Sequence, residues 1–344
     1  MPENSITHID IDELNTKAIS APLIKDIYTA DPSAHVFNGK IYIYPSHDIE
    51  NDIPFDDLGS HFAMEDYHVI SMESPNGQAT LHEMSLHVKD VPWAHKQMWA
   101  PDAAFKNGTY FLYFPAKNID GFFQIGVAVS NDPTGPFKAM PLPIKNSYSI
   151  DPAVFTDDDH TSYIYFGGLW GGQLQCYRDN VFHEQFVEPL PHEKALGPRI
   201  SKLTEDMLEF SEEVREVTIV DDEGNPLKAG DHDRRFFEAS WLHKYNGKYY
   251  FSYSTGNTHF ICYAIGDNPY GPFTYRGKIM NPVLGWTTHH SICEYQHKWY
   301  IFYHDSSLSS GVTHLRSIKV HEINYDENGD IATLNPYGDL QVIS

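Results

Sequence analysis

Five short clusters of acidic residues or histidines recur along this chain of 344 residues, and each is followed by an aromatic-rich segment. Their leading residues are Asp31, Asp102, Asp151, Glu238 and the pair His289–His290. Copies of one repeated unit place equivalent residues around a common axis, so several carboxylates would meet there. Carboxylates held close together raise one another's pKa, because a like charge disfavours ionisation. A neutral acid beside an ionised base is the pair that glycosidic bond hydrolysis requires.

The clusters must be positioned by local structure, and each is followed by the pattern of a β-hairpin. The pairs Asn38-Gly39, Asn107-Gly108 and Asn246-Gly247 separate runs of β-branched and aromatic residues, which is the strongest short-range hairpin signal. Asp157 to Asp159 takes the same place in the third copy. Helical periodicity is nearly absent, and the best candidate for a helix is Thr204 to Val217.

A second repeated element is a turn rich in proline and glycine, Ser130 to Phe137 and again Gly266 to Phe273. Two of the four spacings between clusters are about 50 residues, which is the size of a propeller blade. The two longer spacings are interpreted as insertions near residues 48–86 and 182–235. These patterns predict an all-β fold, a five-bladed β-propeller formed as one domain by residues 1–344.

The composition limits the partners of the protein. A net charge of −23 argues against nucleic acid and anionic membrane surfaces as partners, and a neutral substrate fits better. The three cysteines cannot all pair and lack the spacing of metal ligands. Neither a signal peptide nor a long apolar run is visible, so the chain as given is expected in the cytoplasm, or in a secreted or periplasmic form if a leader was removed. The oligomeric state is left open.

In their order and spacing, the clusters resemble glycoside hydrolase family 43, five-bladed propeller hydrolases of polysaccharides that contain xylose and arabinose. Each matching segment is short, but together they span essentially the whole chain. The segments are Ala30-Asp31-Pro32, Met98 to Asp102, Ser149 to Pro152, Phe237-Glu238-Ala239, Thr288 to Ser291 and Leu315-Arg316-Ser317.

The resemblance implies roles for three carboxylates. Asp31 corresponds to the general base that activates water, and Glu238 to the general acid that protonates the departing oxygen. Asp151 corresponds to the third carboxylate, which orients the acid and raises its pKa. Because the family inverts anomeric configuration, Asp31 and Glu238 are expected to lie roughly 6.5 to 9.5 Å apart.

The resemblance also implies substrate contacts. Trp99 resembles an aromatic wall of the sugar subsite, and a buried core tryptophan is the alternative. Asp102 is expected in the wall beside it. Trp170 lies between glycine pairs and is either a second stacking platform or part of a tight corner. Arg316 resembles an arginine of the last blade that holds the sugar or the base, with an exposed arginine on an outer strand as the alternative.

Many family members carry a calcium ion below the site, touched by a histidine in a His-x-Ser pattern, and His289 fits that position. The family's Gly-x-Gly before this histidine is Trp286-Thr287-Thr288 here, so His290 is the alternative inward-facing ring. Calcium prefers oxygen ligands, so one imidazole would need several waters beside it. A pair of hydrogen-bonded core histidines is the competing interpretation.

The function expected from the resemblance is release of terminal β-D-xylosyl or α-L-arabinofuranosyl residues from pentose-containing oligosaccharides. The long segment 48–86 would close one end of the cleft for such exo action. An endo-acting arabinanase is the first alternative. Retaining fructan hydrolases show motifs that this chain lacks, and a non-catalytic interaction propeller has no need of three channel carboxylates.

Overall fold

Strands dominate the computed structural model, which describes residues 10–340 and residue 342. They form five sheets that follow one another along the chain as the blades of a β-propeller. The α-helix α1 (Ile11–Lys17) precedes them and begins at Asp10, whose carboxylate accepts hydrogen bonds from the backbone N–H groups of Asp12 and Glu13. No helix in these described ranges is long and apolar enough to span a membrane.

The first two blades are formed by residues 28–139. The first contains β1 (Tyr28–Phe37), β2 (Lys40–Asp48), β3 (Asp66–Tyr67), β4 (Ile70–Met72), β5 (Ala79–Leu81) and β6 (Leu86–His87), followed by a 3-10 helix (Val88–Asp90). The second contains β7 (Asp102–Lys106), β8 (Thr109–Lys117), β9 (Phe123–Ser130) and β10 (Lys138–Ala139).

The remaining three blades are formed by residues 153–323. The third contains β11 (Ala153–Thr156), β12 (Ser162–Phe166), β13 (Arg199–Lys202) and β14 (Arg215–Glu216), with 3-10 helices at Trp170–Gly172 and Leu174–Tyr177. The fourth contains β15 (Ile219–Val220), β16 (Glu238–Tyr245), β17 (Lys248–Ser254), β18 (Ile261–Gly266) and β19 (Phe273–Met280). The fifth contains β20 (His290–Tyr295), β21 (Lys298–Asp305) and β22 (Ser317–Ile323).

The predicted hairpins are confirmed in every blade, since β1–β2, β7–β8, β11–β12, β16–β17 and β20–β21 are antiparallel pairs. Asn38 and Gly39 have φ values of 52° and 79°, and the other two Asn-Gly pairs match them. Two left-handed residues in a two-residue loop follow the twist of the flanking strands. In the fifth blade Gln296 and His297 take this conformation without a glycine.

Backbone hydrogen bonds join the first and last blades and so close the ring. The N–H groups of Leu23 and Thr29 donate to the carbonyl oxygens of Ile318 (2.8 Å) and Arg316 (3.0 Å). The N–H of Ala34 on β1 donates to Ser291 Oγ on β20 at 2.9 Å. The chain segment before β1 therefore lies beside β22 and ties both ends of the propeller together.

The predicted helix over Thr204 to Val217 is wrong. Thr204 Oγ1 instead accepts a hydrogen bond from the N–H of Glu209, and the Asp206 carboxylate accepts one from the N–H of Leu208. Such local side-chain bonds offer the backbone an alternative to helical hydrogen bonding. The segment forms turns and then β14.

The two long spacings contain blade strands as well as loops. Strands β3 to β5 lie within residues 48–86, β6 begins at its last residue, and all four belong to the first sheet, while β13 to β15 lie within residues 182–235. The loop that reaches the centre of the propeller is the shorter stretch of residues 55–62.

Candidate active site

A cavity opens where the first strands of the blades meet. Residues from all five blades line it, as do residues 55–62 of the long loop in the first blade. All seven residues that the sequence singles out for catalysis, substrate binding or metal binding lie in its lining: Asp31, Asp151, Glu238, Trp99, Trp170, Arg316 and His289.

Unusual backbone conformations direct the three carboxylates to the cavity. Asp31, Asp151 and Ala239 have φ values of 50°, 56° and 62°, in the left-handed region. The pairing of β1 with β2 shifts register between Ala30 and Ser33, and that of β16 with β17 shifts between Glu238 and Trp241. Left-handed non-glycine residues cost about 1–3 kcal/mol each and cluster at functional sites, where bulges redirect side chains.

Asp31 lies on the cationic side of the cavity floor. Its carboxylate accepts hydrogen bonds from Arg316 Nη1 at 2.9 Å and from the hydroxyl of Ser46. Burial acts to raise the pKa of Asp31, but the charge of Arg316, with smaller contributions from His304, His289 and the Ser46 hydrogen bond, outweighs it and lowers the pKa to about 2. Asp31 is therefore ionised at neutral pH.

Arg316 is fixed by a second carboxylate, Asp48. Its Nε and Nη2 donate to Asp48 at 2.8 and 2.7 Å, which is the bidentate geometry that suits a guanidinium. Only 2% of Arg316 is exposed, so it is not the exposed arginine of the alternative interpretation. No sequence pattern pairs Asp48 with Arg316, because the two residues lie far apart in the chain.

His304 completes the support of Asp31 and was also missed by the sequence analysis. Its Nδ1 accepts the backbone N–H of Asp31 at 3.0 Å, and its Nε2 lies 3.0 Å from the carbonyl oxygen of Thr287. These contacts fit a neutral ring with its proton on Nε2. Burial lowers the pKa of His304 to about 3, so Arg316 is the cation beside Asp31.

Asp151 and Glu238 lie on the other side of the floor. Burial and the charge of Asp31 raise the pKa of Asp151 to about 8, while a hydrogen bond from the N–H of Ala239 at 2.8 Å acts in the opposite direction. Burial and the charges of Asp151 and Asp31 raise the pKa of Glu238 well above its usual range. No group in the described part of the chain donates a hydrogen bond to the Glu238 carboxylate, so Glu238 keeps the proton more readily.

Aromatic residues form the walls of the cavity. Trp99 is 9% exposed and donates its Nε1–H to the carbonyl oxygen of Phe62 at 2.9 Å, and its ring centre lies 4.7 Å from that of Phe123. Trp170 is partly exposed and donates its Nε1–H to Glu188 at 2.6 Å. Its ring lies 5.6 Å from the ring of Trp286. Trp99 is thus both a core residue and a cavity wall.

Two glycines, each packed closely against a neighbouring residue, let the loop of residues 55–62 reach the centre of the propeller. A Cβ at Gly171 would lie 2.5 Å from the carbonyl oxygen of Leu58, and one at Gly59 would lie 2.7 Å from the Trp99 ring. Neither site accepts a larger residue without movement of its neighbour. The loop from the first blade therefore packs against the 3-10 helix of Trp170 and closes one side of the cavity.

Asp102 does not line the cavity, so the expectation that it belongs to the wall with Trp99 is wrong. Its carboxylate is fully buried and accepts hydrogen bonds from His35 Nε2 at 2.6 Å and from the N–H of Val154 at 2.5 Å. These contacts connect the first three blades. Asp102 is a structural counterpart of Asp151, which makes the same kind of bond to the next blade.

The two adjacent histidines have different surroundings. His290 is fully buried, and its Nε2 lies 2.6 Å from Ser252 Oγ. His289 lines the cavity, its Nε2 lies 3.8 Å from Asp151 Oδ2, and neither ring nitrogen has a hydrogen-bond partner within the described residues. Buried polar atoms normally have partners, so the ring of His289 is free to bind a ligand.

Calcium fits this position only with a shell that is mostly water. In the described part of the chain, the three ligating side chains that lie close together are His47, Asp66 and His68, and this group does not include His289. An ion at His289 would therefore have one imidazole and several waters as ligands.

Comparison with known proteins identifies the family. The model for glycosyl hydrolases family 43 matches residues 30–331. Xylosidase/arabinosidase 43A of Humicola insolens is 63% identical over 325 residues, which cover 92% of this chain and 99% of that protein. A xylosidase/arabinosidase of Bacteroides ovatus is 57% identical, with 91% of this chain and 96% of that protein covered.

Solved structures agree in fold. CoXyl43, a β-xylosidase/α-arabinofuranosidase from a compost microbial metagenome, was solved with xylotriose in a calcium-free form and is 60% identical, with a TM-score of 0.91 and coverage of 92% and 98% of the two chains. The family 43 enzyme of Xanthomonas citri with xylotriose gives a TM-score of 0.92 at 57% identity, with coverage of 96% and 98%. The chain is a glycosidase that belongs to glycosyl hydrolase family 43.

Proposed function

We propose that the chain is an inverting glycoside hydrolase that releases terminal β-D-xylosyl and α-L-arabinofuranosyl residues from oligosaccharides. One observation carries this proposal: a single cavity holds a carboxylate whose pKa is lowered by a fixed cation and a carboxyl whose pKa is raised by burial and like charge. The names of the relatives, xylosidase and arabinosidase, support the choice of sugars. Xylotriose in two related structures supports an oligosaccharide substrate.

In the proposed reaction, Asp31 accepts a proton from a water molecule whose oxygen attacks the anomeric carbon. The bond from that carbon to the glycosidic oxygen breaks as Glu238 donates its proton to the departing oxygen. Asp31 ends protonated and Glu238 ionised, and proton exchange with solvent restores both. Asp151 keeps the pKa of Glu238 high by like-charge repulsion.

The walls of the cavity suit the end of a sugar chain. Trp99 and Trp170 offer apolar ring surfaces against which a pentose can pack, and Arg316 is already occupied by Asp31 and Asp48. Arg316 therefore positions the base and is not the main sugar contact. The loop of residues 55–62 closes one side of the cavity, which favours removal of single terminal residues over cleavage within a long chain.

Product analysis tests this function. The protein should hydrolyse nitrophenyl β-D-xyloside and α-L-arabinofuranoside and should release xylose stepwise from xylotriose. Proton NMR of the first turnovers should show α-xylose from the β-xyloside, because the reaction inverts the anomeric carbon. First formation of β-xylose would contradict the role of Asp31 as base, and release of internal fragments only would contradict exo action.

We also propose that His289 holds a calcium ion whose remaining ligands are waters. The unpartnered ring nitrogens of His289 support this, as does the relative whose structure is described as calcium-free. When bound, the ion would supply positive charge near the cavity floor. Calorimetric titration of chelator-treated protein should show calcium binding that is lost in His289→Ala, and equal binding by both proteins would contradict the site.

A further inference from the structure

A second cluster of metal-ligating side chains lies outside the active site, in the first blade. It consists of His47 on β2, Asp66 on β3 and His68 just after β3, and one ligand atom from each lies within 4.8 Å of the other two. His47 Nδ1 and Asp66 Oδ1 are hydrogen-bonded to each other at 2.5 Å, a contact that coordination of an ion by both atoms would replace. All three residues are partly exposed, so an ion can reach them from solvent.

The ring of His68 is oriented as the rings of metal-binding histidines commonly are. His68 Nδ1 lies 2.9 Å from the carbonyl oxygen of His82, to which it donates its proton. That bond fixes the tautomer and leaves the lone pair of His68 Nε2 free for an ion. The rings of His47 and His68 are perpendicular with centres 5.1 Å apart.

We propose that His47, Asp66 and His68 form a binding site for a divalent transition metal ion such as Zn²⁺. Two imidazoles and one carboxylate suit Zn²⁺ and its first-row neighbours, whereas calcium prefers a shell of oxygen atoms. Three protein ligands leave a position for water in a tetrahedral shell. The net charge of −23 favours any cation at the surface.

The site would support β2, whose residues Ser46 and Asp48 position the catalytic base and its arginine. Successive side chains on a strand point to opposite faces, so His47 points away from its neighbours Ser46 and Asp48. Those neighbours bind Asp31 and Arg316 on the active-site face. A metal ion would connect the end of β2 to β3 behind the active site, which makes it a positioning element and not a catalytic one.

Binding measurements on the whole protein test the site, with calcium present in excess to occupy His289. Zn²⁺ should bind with one-site stoichiometry and raise the thermal midpoint in a saturable manner. Loss of an outer-shell partner typically weakens metal binding by about 10–100-fold. His68→Gln and Asp66→Asn each remove a direct ligand, so each should weaken Zn²⁺ binding by more than that. The matched control is His183→Gln, because His183 pairs with Asp179 at 2.9 Å on the surface but belongs to no group of three ligating side chains among the described residues.

A second measurement does not depend on the variants. Electron paramagnetic resonance of the Cu²⁺-loaded wild-type protein should show two imidazole nitrogens, whereas an ion at His289 would show one. Absence of Zn²⁺ binding, a one-imidazole signal, or equal affinity in His68→Gln, Asp66→Asn and His183→Gln would overturn the proposal. These readouts do not involve glycoside hydrolysis, so they test the metal site independently of the proposed function.

Discussion

The two sides of the cavity floor contain the same chemical group in opposite states. Asp31 and Asp151 are both carboxylates with about 5% of their surface exposed, yet the pKa of Asp31 falls to about 2 and that of Asp151 rises to about 8. Burial acts to raise both. The main difference is Arg316, which contacts Asp31 directly and acts on Asp151 only from a distance, and the charge of Asp31 itself raises the pKa of Asp151 further.

Burial alone therefore does not divide the acid from the base. A propeller brings similar carboxylates to one axis, and one buried cation in the last blade then makes them unequal. Asp48 and Ser46, which follow Asp31 on the next strand of the same blade, keep Arg316 and Asp31 in register. The division of roles depends on this one-sided support, which mutation can test.

The largest effect is expected from removing the proton-transfer groups. Glu238→Gln and Asp31→Asn should each lower kcat/KM for nitrophenyl xyloside by about 10²–10⁴-fold, the range for general acid–base catalysis. A dinitrophenyl xyloside, whose leaving group needs no protonation, should restore much of the rate of Glu238→Gln and little of that of Asp31→Asn. Equal rescue of both variants would contradict the assignment, and circular dichroism should show that both are folded.

Removal of the Arg316 cation should bring the pKa of Asp31 closer to that of Asp151. Arg316→Met leaves Asp31 and Asp48 buried without their partner, and breaking a buried ion pair costs about 3–5 kcal/mol in the free energy of unfolding. The pKa of Asp31 should rise, so the acid limb of the pH–activity profile should move to higher pH.

Arg276→Met is the matched control for Arg316→Met. Arg276 Nη2 donates to Asp330 at 2.8 Å, but this pair lies at the surface, where its loss should cost about 0–1 kcal/mol. Urea unfolding and the pH dependence of kcat/KM measure both variants. A similar loss of stability in the two, with an unmoved acid limb in Arg316→Met, would contradict the special role of Arg316.

A smaller effect is expected on the protonated side. In the range from about pH 4 to about pH 8, folded Asp151 holds a proton that the unfolded chain has released, so stability falls as pH rises. Asp151→Asn removes this loss and should increase stability relative to wild type as pH rises, by at most about 1.4 kcal/mol per pH unit. It should also lower the pKa of Glu238 and move the alkaline limb of activity to lower pH.

Thermal unfolding between pH 5 and pH 8, with chelator present, measures the first effect, and kcat/KM measures the second. A stability difference between Asp151→Asn and wild type that does not change with pH would show that Asp151 is ionised throughout this range. The alkaline limb would then have to be assigned to another group.

Features with a local sequence signal were predictable. Asn38-Gly39 and its equivalents determine a two-residue hairpin without reference to the rest of the chain, and a carboxylate heads four of the five repeats. The same reasoning failed for Thr204 to Val217, where apolar spacing suggested a helix but side-chain hydrogen bonds to the backbone formed turns. Spacing alone does not show such competition.

The supporting residues of the site had no local signal. Asp48 is the last residue of an ordinary strand, and His304 lies within another, yet both reach Asp31 or its partner across the closure of the ring. Their roles follow from which blades become neighbours. A single sequence does not show that Arg316 contacts residues near the other end of the chain.

Asp102 gives the smallest expected effect on activity, because it has the sequence pattern of Asp151 without its place in the cavity. Its hydrogen bonds to His35 and Val154 are buried, so Asp102→Asn should lower the free energy of unfolding by about 1–3 kcal/mol. With no contact to the cavity, kcat/KM and both limbs of its pH profile should stay close to wild type, as measured on the same nitrophenyl xyloside. A shifted alkaline limb would mean that Asp102 also acts on Glu238. Asp102 and Asp151 would then differ in their distance from Glu238 and not in whether they line the cavity.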